Sequence, residues 1–227
     1  FDRELRMLVT RELEKIEIAI RAKMIYILSH NRGSFWYKDS ANFKNKNKHR
    51  ETLDKLISEY NRSDEDFVKS FKINYSDTLP PSWMIFEISS FGTLSSFYSN
   101  FVSGRDKQEI AKYFGLNDTV FSSWIHCIVY IRNVCAHHTR LWNRILRIQP
   151  LVPRKTMNQW LATKAVPNNR VFFILSMIVY FMNIVNPKHT IVERVKALLK
   201  KYPNVDARAM GFPVAWENEP LWSKSTK

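Results

Sequence analysis

Glycine is scarce in this chain, with five in 227 residues. That excludes a Gly-rich phosphate loop of the P-loop or dinucleotide type and weighs against a sheet fold built on many tight turns. Cysteine is almost absent: Cys127 and Cys135 stand alone. Eight residues apart on one helix, they sit roughly 12 Å apart along its axis. A disulfide needs Cα atoms within about 7 Å, so they do not pair, and they read as buried thiols of a reducing cytoplasm. One straight helix cannot converge Cys127, Cys135, His137 and His138 tetrahedrally, so no zinc site is expected there; no cofactor is expected elsewhere either. No long hydrophobic run is present. The richest stretch, Val171 to Val185, falls short of the roughly 20 residues a bilayer span needs, and it contains Ser176 and Asn183. It reads as a core helix, and no membrane partner is expected. No signal peptide is visible. Acidic residues are outnumbered, 21 against 35 Lys and Arg, which leaves a net charge of +14. Such an excess attracts polyanions, of which nucleic acid is the commonest.

What is present suffices for a core: 45% of residues are apolar and 14% aromatic. Residues 1–30 read as one amphipathic helix with Leu5, Leu8, Leu13, Ile16, Ile20, Met24 and Ile27 on its apolar stripe, stopped by Asn31-Arg32-Gly33. Phe35-Trp36-Tyr37 reads as core rather than as a stacking platform. The basic run Lys44, Lys46, Lys48 and Arg50 leads into a helix carrying Leu53, Leu56 and Ile57. It either grips phosphates or is a solvated helix start. After Leu79-Pro80-Pro81 the pattern predicts a helix from Ser82, a candidate N-cap, to about Asn100. A loop over 101–105 and a short helix to Phe114 follow, closed by Gly115. Asn117 or Asp118 would cap the next helix. The remaining elements are the apolar helix at about 169–185, a helix from about Pro187 to Lys201, and a Pro- and Trp-rich tail over 203–227 expected to lie extended on the surface. No strand and no internal repeat is evident, so the class is all-α, a single helical bundle with additional helices.

The most informative segment is Arg132-Asn133-Val134-Cys135-Ala136-His137-His138. The stretch from Leu116 to Gln149 holds no Gly or Pro, which predicts one helix ended by Pro150 and Pro153. His137 would stand about 140° and about 7.5 Å from Arg132 on it. Asn133, His137, Arg140 and Arg144 then form a basic stripe that His126 and Tyr130 extend. Trp124, Cys127, Ile131, Val134, Cys135, Leu141 and Ile145 form the apolar band. His138 falls in that band and reads as a buried, hydrogen-bonded structural residue, which makes His137 the site histidine. An Arg and a His reaching one phosphate suit RNA cleavage without a metal. Arg stabilises charge building on phosphorus, His moves protons near neutrality, and the RNA supplies its own 2′-hydroxyl nucleophile. Arg-x4-His also arises by chance, and a basic stripe is most often a solvated face. Glu87, a lone carboxylate in an apolar helix, needs a partner, and a salt bridge to Arg132 or Arg140 would supply one.

The segment together with Thr139-Arg140-Leu141-Trp142-Asn143-Arg144 resembles the abortive-infection (Abi) proteins of the AbiD/AbiF type, within the HEPN superfamily. So do three further blocks in the same order. These are Phe1 to Arg6 with Glu14-Lys15-Ile16-Glu17 and Ala19-Ile20-Arg21; Pro81 to Met84 with Glu87 and Ser90 to Ser95; and Met210 to Pro213 with Trp216 and Pro220-Leu221-Trp222. The resemblance implies a HEPN-like helical fold and a further N-terminal segment of several dozen residues. It implies a homodimer in which two Arg-x4-His motifs meet, and a toxin-like endoribonuclease of anti-phage defence that leaves 2′,3′-cyclic phosphate ends. In that reading Arg132 and His137 are catalytic and Asn133 orients His137. Arg140, Arg144 and the basic run hold RNA, and Glu87 and His138 support the site. The alternative is a non-catalytic RNA-binding protein that associates with a cognate non-coding RNA.

Overall fold

In the computed structural model, which describes residues 1–223, the first helix α1 runs Asp2–Arg32. Its whole predicted stripe, from Leu5 to Ile27, is buried. Gly33, at φ 84°, ends it as a left-handed residue whose N–H returns to Ser29 O at 3.0 Å. Eight further α-helices follow among the described residues: α2 Lys46–Arg62, α3 Asp66–Asn74, α4 Ser82–Ile85, α5 Phe91–Asn100, α6 Arg105–Tyr113, α7 Asp118–Ala136, α8 Val171–Val185 and α9 Ile191–Lys201. The fold is all-α, and a single isolated bridge, Phe43 to Phe101, is the only β pairing among the described residues. The chain divides into two compact units, residues 20–113 and residues 1–19 with 114–227.

The 20–113 unit is built on an aromatic core. Trp36 stacks on Phe86 at 5.2 Å between centroids, and Phe43 stacks on the buried His49 at 4.1 Å. Trp36 and Tyr37 are core, as their pattern predicts; Phe35 instead remains 38% exposed. The helix predicted over 82–100 is two helices. Ser82 is buried, while Ser90 caps α5 by accepting from Thr93 N–H at 3.2 Å. Arg21 holds the intervening turn, its guanidinium donating to the carbonyls of Phe86, Glu87 and Ser89 at 2.6, 2.8 and 3.0 Å. α3 carries too short a periodic pattern to have been recognised.

In the other unit, α8 is buried along its length from Val171 to Met182. Ser176 fits this apolar setting because its hydroxyl donates to Phe172 O and accepts from Trp222 Nε1, both at 2.9 Å. The tail is not extended over the surface. Short 3-10 turns at Arg208–Met210 and Trp216–Asn218 fold it back, and Met210, Phe212, Leu221 and Trp222 are buried. Aromatic burial of this kind is worth about 1.5–3 kcal/mol per side chain, which overrides the absence of periodicity. Lys224 to Lys227 lie outside the described residues. No described helix is long and apolar enough to cross a membrane.

Candidate functional site

α7 begins where expected: Asn117 accepts from Val120 N–H at 2.8 Å. Trp124, Cys127, Ile131, Val134 and Cys135 form its buried face. Burial pushes the Cys127 thiol up to about 12 and Cys135 to about 11, the latter against a hydrogen bond from Thr10 and the charge of Arg6. Neither is a nucleophile at neutral pH.

The helix does not continue to Gln149; it stops at Ala136. Thr139 N–H returns to Val134 O at 3.0 Å and His138 N–H to Cys135 O at 3.1 Å, the two bonds of a Schellman stop. His138 is its left-handed residue, at φ 54°. The sequence concealed this stop because glycine ordinarily fills that position. Two expectations fall with it. His138 is exposed rather than buried, and Ile145, expected in the apolar band, is 63% exposed.

His137 is the cap itself, at φ −84° and ψ 12°, with its N–H on Asn133 O at 3.0 Å. That main-chain bond links Asn133 and His137; among the described residues no side-chain bond joins them. Arg132, Asn133 and His137 are all exposed, and among the described residues neither the Arg132 guanidinium nor the His137 ring has a hydrogen-bond partner. Both side chains are therefore free to meet an external group.

Arg140 and Arg144 lie on the irregular chain after the stop, not on a helical stripe. Arg144 nevertheless returns to the stripe's other end. Its Nε donates to Tyr130 Oη at 3.0 Å, its Nη1 donates to Arg140 O at 3.1 Å, and its guanidinium lies 5.9 Å from the Tyr130 ring centre. Asp2 supplies a second anchor that the sequence did not disclose. Its Oδ1 accepts from Leu141 and Trp142 N–H at 2.9 and 2.6 Å, while Oδ2 pairs with Arg6 Nη1. An acid in a first helical turn reads as a helix-dipole partner, which masks such a role.

The remaining candidates lie in the 20–113 unit. Lys44, Lys46, Lys48 and Arg50 are exposed. Asn45 caps α2 through Lys48 N–H at 3.0 Å, and Asn100 clamps Asn45 with bonds of 3.0 and 2.8 Å. The basic run is therefore presented on a fixed backbone, with Lys46 reaching Ser40 O and Lys48 reaching Ser99 Oγ at 3.2 Å. Glu87 is exposed on the turn between α4 and α5. Its carboxylate is open to water and needs no partner, while its main chain is engaged, the N–H by Met84 O at 3.2 Å and the carbonyl by Arg21.

A family model described as Abi-like protein matches residues 1–143, from the start of α1 through the motif and its Schellman stop. The tail block at 210–222 lies beyond that match. No curated protein and no solved structure matches the chain. Membership points to a role in abortive infection. With the match covering well over half of its length, the chain belongs to the Abi-like protein family.

Proposed function

We propose that this protein is a HEPN-type endoribonuclease, a toxin-like effector of anti-phage defence whose site is completed by a second copy of the chain. The observation that carries the reading is the helix stop at Ala136. Just before it Arg132, and at it His137, face solvent with their side chains free of internal partners among the described residues, on a segment anchored behind by Asp2 and Arg144.

One His137 takes the proton of the 2′-hydroxyl, whose oxygen attacks the adjacent phosphorus. The bond to the 5′-oxygen breaks, and that oxygen receives a proton from the His137 of the second copy. Arg132 stabilises the charge on the pentacoordinate phosphorus. The products are a 2′,3′-cyclic phosphate and a 5′-hydroxyl, and no metal takes part in any step. Arg140 holds a flanking phosphate, and the exposed Lys44–Arg50 run adds salt-dependent affinity.

The test is cleavage of RNA by the purified chain in the presence of EDTA, with the product ends mapped. Cyclic phosphate ends that disappear in His137→Ala support the reading. The fixed, exposed basic run favours a second reading, a non-catalytic RNA binder with a cognate non-coding RNA. That reading gains if wild type and variant bind RNA equally and neither cuts it.

A further inference from the structure

Between Asp118 and Glu193 the chain carries no acidic residue and nine Lys or Arg. Part of that excess is gathered around a cleft of about 530 Å³, formed by the irregular chain between α7 and α8. Arg154, Lys155 and Lys164 line it together with Trp160, Phe173 and Thr163, and no carboxylate is among its lining residues. Among the described residues, none of the three cations has an ion-pair partner. The size is in the range of small-ligand sites, about 300–1,000 Å³.

A loop this long without secondary structure is uncommon in a compact unit unless it has a task. This one is fixed at several points. Leu151 N–H donates to Ser123 Oγ at 2.9 Å, and Trp124 Nε1 donates to Leu151 O at 2.8 Å. Met157 N–H donates to Gly115 O at 2.9 Å, and Asn168 Nδ2 donates to Pro150 O at 2.8 Å. Glu219 reaches the loop at Ala162 and Thr163. It is 7% exposed, and its carboxylate is occupied by the N–H groups of Ala162 and Thr163, the former at 2.6 Å, and by the Thr163 hydroxyl. It therefore fixes the wall of the cleft, and among the described residues it forms no ion pair with the three cations. Trp160 packs against Trp124 at 4.9 Å, Phe173 at 5.4 Å and Tyr180 at 5.8 Å and remains partly exposed.

The geometry points to a nucleotide site: Arg154, Lys155 and Lys164 take the phosphate, and the base lies against Trp160. Three cations without an acid recognise a phosphate, and a half-buried indole beside them supplies a stacking surface that a bare phosphate does not need. The nucleotide is either free or the phosphorylated end of an RNA. The site is separate from Arg132 and His137, and it stands whether or not that motif cuts RNA.

The test is calorimetric titration of the full chain with AMP, adenosine and inorganic phosphate, repeated on the triple variant Arg154→Ala, Lys155→Ala, Lys164→Ala. All three residues are exposed, so the variant retains the fold, which circular dichroism checks. Saturable binding of one AMP per chain, at least tenfold tighter than phosphate or adenosine and at least tenfold weaker in the variant, supports the site. A 5′-phosphorylated RNA decamer that displaces AMP identifies an RNA end as the natural ligand; failure to displace it identifies a free nucleotide. No saturable AMP binding, or binding unchanged in the triple variant, overturns the proposal.

Discussion

α1 and α7 both end on a left-handed residue, yet one stop is a glycine and the other a histidine. Gly33, at φ 84°, closes α1 with one return bond to Ser29, and a Cβ there would meet nothing within 4 Å. His138, at φ 54°, closes α7 with the paired bonds of a Schellman motif. A non-glycine residue in this region gives up roughly 1–2 kcal/mol. The first stop is ordinary punctuation. The second costs stability at the point where Arg132 and His137 are presented, and strain held by its surroundings is a mark of a working site. What holds it is visible: Asp2 grips the N–H groups of Leu141 and Trp142 a few residues on, and Arg144 ties the chain back to Tyr130.

The comparison can be broken most forcefully at Asp2. Asp2→Ala removes two hydrogen bonds to a carboxylate together with the Arg6 ion pair. It should lower stability by about 2–4 kcal/mol, measured by denaturant unfolding, and should release the 139–144 chain to rapid hydrogen exchange. An unchanged unfolding midpoint would mean that Asp2 holds nothing. A smaller, two-signed effect comes from exchanging the stops. His138→Gly relieves the left-handed residue and should raise stability by about 1 kcal/mol, or about 2–4 °C in melting temperature. Gly33→Ala should lower it by a similar amount. Equal signs would show that the two stops are not of the same kind.

A third histidine provides the smallest effect and the sharpest contrast. His189 is fixed through its ring as well as its backbone N–H, which donates to Asn186 O at 2.9 Å: Ile191 N–H donates to Nδ1 at 3.3 Å, so Nε2 carries the proton and donates to Asn183 Oδ1 at 2.9 Å. Burial lowers its pKa below the ordinary 6.5, with Glu12 and Glu193 opposing. A lowered folded-state pKa contributes stability that is present above about pH 6.5 and is lost as pH falls toward the folded value. Unfolding between pH 7.5 and 5.5 should therefore show a loss that is reduced in His189→Asn. The same loss in the variant would assign it elsewhere.

Much of the helical order was legible because its signals are local. The α1 stripe, the Asn117 cap and the apolar α8 need only spacing and a capping side chain to be read. Three features were not legible, each for a physical reason. The stop at His138 uses a residue that carries no stop signal. The division between α4 and α5 depends on Arg21, some 65 residues away in sequence. The tail folds inward because Phe172, Phe212, Trp216 and Trp222 pack together, with Phe172 and Trp222 at 5.4 Å, and such pairing leaves no periodicity. At the candidate site, residue types and order single out Arg132 and His137, and both are exposed. A continuous helix separates the adjacent histidines but puts His138 in a buried band; its place at an exposed, left-handed helix stop depends on the helix end and could not be read from that pattern.

The most direct test compares His137→Ala and His138→Gly side by side for RNA cleavage in EDTA at equal RNA affinity. The account predicts a loss of about 10²–10⁴-fold for His137→Ala, the range of a missing acid–base group, and activity within threefold of wild type for His138→Gly. Cleavage retained by His137→Ala, or lost equally in His138→Gly, would contradict the assignment of one histidine to chemistry and its neighbour to the helix stop.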